Sequence, residues 1–132
     1  MKKECYRDYA TDAFRLWAAL KKTTYEEFVK GIENENEAGE SAATLYDILA
    51  CEITWERLKN RNELICKAVE EVYMCEPKRP IRSHEIGARV RRFAFEQSVC
   101  ERQVWNWLAE ARKEFAKNRG LRVDSIYALK KC

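Results

Sequence analysis

The sequence predicts an all-α fold, a compact bundle of about five or six helices, and three observations carry that prediction. The 132 residues contain only four Gly and two Pro, so little interrupts the chain. Hydrophobic residues make up 46% and charged residues 36%, in long stretches rich in Ala, Leu, Glu, Lys and Arg, whose side chains lose little rotamer freedom in a helix. Within those stretches apolar residues recur three and four apart, the spacing that lines one face of a helix. A chain of this length buries enough surface to fold without metal or disulfides.

The first helix is expected from about Asp8 to Lys21, with Ala10, Ala13, Phe14, Trp17 and Leu20 on one face, and Thr23-Thr24 ending it. Thr24 and Glu27 form a capping-box pattern that opens a second helix with the stripe Tyr25, Phe28, Val29 and Ile32. Residues 33–40 are polar and acidic and read as an exposed loop closed by Gly39. A third helix is expected from near Ser41 to about Asn60, striped by Leu45, Ile48, Cys51 or Glu52, Trp55 and Leu58. A fourth, striped by Ile65, Ala68, Val69 and Val72, follows a break at Asn60-Arg61-Asn62, unless the two are one bent helix.

Glu76-Pro77-Lys78-Arg79-Pro80 is the clearest boundary, because two prolines remove backbone donors and push the residues before them toward extended backbone. It divides a helical region, residues 1–76, from a basic region, residues 77–132, within what is expected to be one compact unit. Charge divides the same way. Residues 23–56 hold nine acidic side chains against Lys30, a net −8, whereas residues 78–122 hold twelve basic against five acidic, a net +7. Nine of those twelve are Arg, whose planar fork suits phosphate or carboxylate better than Lys does. The plainest account of this division is the acidic half docking on the basic half; the other is an anionic partner.

Beyond the prolines, Ser83 is placed to cap a helix with Ile86, Val90 and Phe93 inward, Arg89 and Arg92 outward, and Gly87-Ala88 leaving room for a close neighbour. The pattern restarts at Ser98, where Ser98 and Glu101 match a second capping box and Val104, Leu108, Ala111 and Phe115 form the apolar stripe before Gly120. Two amphipathic helices joined by a tight polar link, the second longer and polar at its start, are what a helix-turn-helix requires, and such a motif sets the start of its second helix in the major groove of DNA. Arg102, Gln103, Asn106 and Lys113 point away from the stripe; Arg forks onto guanine, Gln and Asn onto adenine, and Lys113 meets phosphate. Arg79, Arg82, Arg89 and Arg92 are the candidate backbone contacts, which set register without reading sequence. Trp105 lies nearer the outside of the wheel than Trp107.

At these residues the chain resembles a family. Arg79-Pro80-Ile81-Arg82, Glu85 to Phe93, and Glu101 to Leu108 within Ser98–Arg112 are similar to small proteins encoded in prophages and mobile elements of Gram-positive bacteria, as is the opening Tyr6 to Arg15. The C-terminal region of those proteins is in turn similar to the helix-turn-helix of sigma factors and ArpU-type phage regulators. The resemblance implies binding of double-stranded DNA in late-gene transcription, with RNA polymerase or another protein as a possible partner of the acidic half.

Other chemistry finds little support. The single His84 has no matching nucleophile or paired carboxylate, and there is no Gly-rich phosphate loop, so neither catalysis nor a cofactor is expected. Cys51, Cys66 and Cys100 are expected as small buried groups inside helices, and Cys66, Cys75, His84 and Cys100 match no common zinc spacing. The N-terminus lacks an apolar signal segment and no apolar run spans a bilayer, so a cytoplasmic protein is expected. The competing reading is a helical interaction protein, as a dimer or with other proteins, or a packaging or recombination accessory that binds DNA with little sequence preference.

Overall fold

The computed structural model describes residues 6–33 and 38–121; Cys5, Cys132 and the core of the expected acidic loop lie outside them. Among the described residues there are six α-helices and no strand: α1 (Arg7–Ala19), α2 (Tyr25–Glu33), α3 (Ala38–Arg61), α4 (Glu63–Val69), α5 (Ser83–Gln97) and α6 (Glu101–Arg119). None of these helices is long and apolar enough to cross a membrane.

The local signals act largely as their chemistry dictates. Thr24 and Glu27 close the expected box: the Glu27 amide donates to Thr24 Oγ1 (3.2 Å) and the Thr24 amide to Glu27 Oε1 (3.2 Å), which also lowers the Glu27 carboxyl pKa. The break between α3 and α4 is real. Asn62 is extended (φ −168, ψ 112), and its side chain accepts the Leu64 amide at 3.0 Å, capping α4. The third helix begins at Ala38, ahead of the expected Ser41, so Gly39 lies within it rather than closing a loop.

One hydrophobic cluster draws from both sides of the prolines. Phe14, Ile48, Cys51, Leu58, Val69, Val72, Val90, Phe93, Val104, Leu108 and Phe115 are all fully buried in it. α6 runs through this cluster and packs on α3, α4, α5 and α1. Phe14 and Phe115 meet tilted at 57° with 5.5 Å between centroids, and Phe93 meets Trp107 edge-on at 6.5 Å.

The two differently charged halves meet along α3 and α6, but only partly as the charge division suggests. Arg119 donates to Asp47 at 2.7 Å in the expected sense. The other pairs run in reverse, with Arg57 and Arg61 of α3 bonding Glu110 and Glu114 of α6 at 2.9–3.3 Å. Burial works to raise the Glu114 carboxyl, yet the two guanidiniums outweigh it and hold it below the usual range.

What the sequence reading did not anticipate is the end of α4. The helix widens into a π-helical turn at Glu70–Met74 and then turns sharply through Cys75 and Glu76, the latter at φ 50. A helix end leaves carbonyls without partners, and here they are buried or partly buried. Two arginines satisfy them. Arg15 of α1 donates to the Tyr73 carbonyl (2.6 Å), the Glu76 carbonyl (3.0 Å) and the Arg79 carbonyl. Arg89 of α5 donates to the carbonyls of Val72 (2.9 Å) and Cys75 (3.1 Å). Positive charge at a helix C-terminus is also favoured by the helix dipole, so this clamp fixes where the proline linker leaves the bundle and where α5 begins.

Candidate nucleic-acid interface

α5, a three-residue link and α6 form the candidate interface. The link is a Schellman turn: the Ser98 amide donates to Phe95 O (3.2 Å) and the Val99 amide to Ala94 O (3.0 Å), with Ser98 left-handed at φ 56. Ser98 therefore terminates α5 and does not cap α6. The N-cap of α6 is Cys100, extended at ψ 154, and no side chain caps it, so the expected Ser98–Glu101 capping box is absent. A turn with three linking residues needed the left-handed position more than the cap. Ser83 likewise does not cap α5, whose N-cap is Arg82 with no side-chain bond. Because Ser at φ 56 carries a Cβ clash that Gly lacks, Ser98→Gly is expected to stabilise the fold by about 0.5–1 kcal/mol, read as a higher midpoint in urea unfolding.

Both helices bury one face. Val90, Phe93 and Ala94 of α5 oppose Val104, Trp107 and Leu108 of α6 in the core, with Ile86 and Val99 packed at its edge. Gly87 does not mark a close neighbour as expected: a Cβ there would meet only Arg91 Nη1, at 3.6 Å.

The sequence-derived site residues fall into two groups. Arg102, Gln103 and Asn106 are exposed on the first turns of α6, Lys113 is exposed two turns further on, and Arg82 and Arg92 are exposed at the start and on the outer side of α5. None of the four arginines and lysines among these, nor Gln103 or Asn106, has a side-chain partner among the described residues. Arg102, Asn106 and Lys113 follow at i, i+4 and i+11, so they share a stripe opposite the buried Val104, Leu108 and Ala111; Lys117 continues it. The other two candidates have different work. Arg89, expected to point outward, is turned inward, 8% exposed, with Nη1 on the clamp carbonyls and Nη2 facing Glu76 and Glu85. Arg79 reaches Glu85 (2.6 Å) and Glu76 (3.3 Å); these carboxylates raise its pKa, while Arg79 holds the Glu85 carboxyl below its usual range. Its charge is already answered within the chain.

Other placements follow. Trp107 is buried and Trp105 is 36% exposed beside the leading edge. Arg112 is buried against the Tyr73 hydroxyl at 2.5 Å. Cys51 and Cys66 are buried; burial drives the Cys51 thiol pKa far up and pushes Cys66 up to about 11, so both are inert. Cys100, expected inside a helix, is instead exposed at the head of α6. Among the described residues no three His, Cys, Asp or Glu side chains gather as metal ligands. Two further exposed residues, Arg91 and Phe95, lie four apart on the outer face of α5, a spacing that the sequence itself carries. Comparison of the chain with protein-family models, with curated proteins and with solved structures finds no match, so the geometry above stands as its own guide to function.

Proposed function

We propose that the protein binds double-stranded DNA through α5 and α6 as a helix-turn-helix, laying the leading edge of α6 in the major groove. One observation carries the reading. Arg102, Gln103 and Asn106 project from the first turns of α6 with no partner among the described residues, and Arg82 and Arg92 of α5 and Lys113 further along α6 are exposed cations likewise without a partner among them. Forked Arg and amide side chains at the head of an exposed helix match the edges of guanine and adenine, and cations around it match phosphate. The resemblance of Arg79 to Arg112 to prophage proteins with sigma-factor-like regions supports a transcriptional role in a phage or prophage setting.

The test is selection of bound sequences from a random duplex pool, followed by titration of the winner against salt. The reading expects a defined recognition sequence. With Arg82, Arg92 and Lys113 on phosphates, log affinity should fall with log salt at a slope of roughly −3, about −0.9 per contact. Failure to enrich any sequence, with equal binding to heparin, would favour an accessory that coats DNA without reading it. No binding to either would favour a protein-interaction module.

A further inference from the structure

Two exposed stripes are left largely uncovered by the described residues, and their chemistries are complementary. On α5, His84, Ala88, Arg91 and Phe95 follow at i, i+4, i+7 and i+11 along the face opposite the core. Phe95 is 86% exposed, a nearly free phenyl ring, and Arg91 beside it pairs with no described residue. On α3, Ala42, Tyr46, Leu49 and Ile53 follow at the same spacing, with Glu56 continuing the line. Ala42, Tyr46, Leu49 and Glu56 are exposed and Ile53 is half-buried. Tyr46 already takes a guanidinium on its ring, Arg119 at 5.4 Å from the centroid, yet remains 58% exposed, and Glu56 has no partner among the described residues. Each stripe runs over three helical turns, about 16 Å, so the two match in length.

We infer that the α5 stripe of one copy docks on the α3 stripe of a second copy, so that the protein associates head to tail. Phe95 would lie on Leu49 and Tyr46, and Arg91 would reach Glu56 and the open face of the Tyr46 ring, the pairing of aromatic anchors with Arg that dominates binding energy at interfaces. A symmetric contact is disfavoured on both sides. Stacking α5 on α5 brings no carboxylate to Arg91, and stacking α3 on α3 brings no cation to Glu56. The heterologous contact gives each charge its opposite and covers Phe95 together with Tyr46 and Leu49. It uses the leftover charge of the acidic and basic halves, which within one chain meet in the expected sense at Asp47 and Arg119. The inference does not rest on the DNA reading, since neither stripe includes Arg102, Gln103 or Asn106.

A head-to-tail contact that does not close into a ring continues, so weight-average mass should climb beyond two chains as concentration rises. The experiment is sedimentation or light scattering of the full chain from roughly 10 μM to 1 mM, a range that detects weak association, at about 50 mM and about 500 mM salt. Association is expected at low salt and weaker at high salt. Two double variants then block one surface each: Arg91→Glu with Phe95→Ala on α5, and Leu49→Ala with Glu56→Lys on α3. Each alone is expected to weaken association at least about tenfold, with helix content by circular dichroism unchanged because the substituted side chains are exposed. Mixed together they retain one intact surface apiece and are expected to form a 1:1 pair and nothing larger. A wild-type chain that stays monomeric throughout overturns the inference, as does association that survives either double variant, or a mixture that fails to pair while both variants keep wild-type helix content.

Discussion

Arg15→Met and Arg89→Met are each expected to cost about 3–5 kcal/mol of stability, a large share of the 5–15 kcal/mol typical of a domain. Methionine keeps much of the buried volume, so the loss reports the guanidinium rather than a cavity. Arg15 donates to three carbonyls and Arg89 to two, spread from the π-helical turn into the linker that follows it. Bonds from a charged donor contribute about 1.5–3 kcal/mol each, less than additively, and a carbonyl left buried without a donor costs the full desolvation of that group. Thermal or urea unfolding followed by circular dichroism measures the effect. Lysine in place of Arg89 should recover only part of the loss, because a single ammonium can take the place of Nη1 at the two carbonyls but leaves nothing in place of Nη2, which faces Glu76 (3.7 Å) and Glu85 (3.8 Å). The second readout separates the two assignments for Arg89. If Arg89→Met left stability within about 1 kcal/mol of wild type and instead lowered the DNA salt slope by about 0.9, the side chain would belong to the phosphate contacts and the clamp would be refuted.

Arg102→Ala, on the DNA reading, is expected to weaken binding to the selected sequence by roughly 10- to 100-fold, about 1–3 kcal/mol, and to relax the preference at one or two adjacent base pairs. Asn106→Ala should act alike at a neighbouring position, since it lies one turn further along the same stripe. Arg92→Ala should behave differently: all sequences weaken together and the salt slope falls by about one contact. The contrast between these variants is the informative result, measured by fluorescence anisotropy on selected and scrambled duplexes. If Arg102→Ala weakened both duplexes equally, α6 would be held along the backbone and the groove-reading arrangement would be wrong. Because Arg102, Asn106 and Arg92 are all exposed and without partners among the described residues, stability should change little, so a loss of binding would not be a loss of fold.

Much of this architecture is written locally. Periodicity places the apolar faces of α1, α3, α4, α5 and α6, since a stripe at i, i+3, i+4 and i+7 needs only the geometry of one helix to be recognised. The Thr24–Glu27 box and the stops at Asn62 and Gly120 are readable for the same reason, each being settled within four residues. Ser98 shows where local reading stops being sufficient. By itself Ser favours an N-cap for α6, yet it takes the left-handed end of α5, because the length of the turn is set by how α5 and α6 pack.

The arginines divide along the same line. Composition and spacing determined that residues 78–122 are strongly basic, that α6 opens with Arg102, Gln103 and Asn106 outward, and that the whole chain is helical. Only the tertiary structure decided that Arg89 and Arg112 are buried, that Arg79 is answered by Glu76 and Glu85, and that Arg91 and Phe95 are exposed. The physical reason is range. A helical face follows from neighbours three and four residues away, whereas the fate of a guanidinium depends on which carbonyls and carboxylates other elements bring to it, here across separations of 14 to 64 residues in the clamp. An arginine on a wheel is a charge in water; in the folded chain it goes where buried acceptors would otherwise be left without a donor.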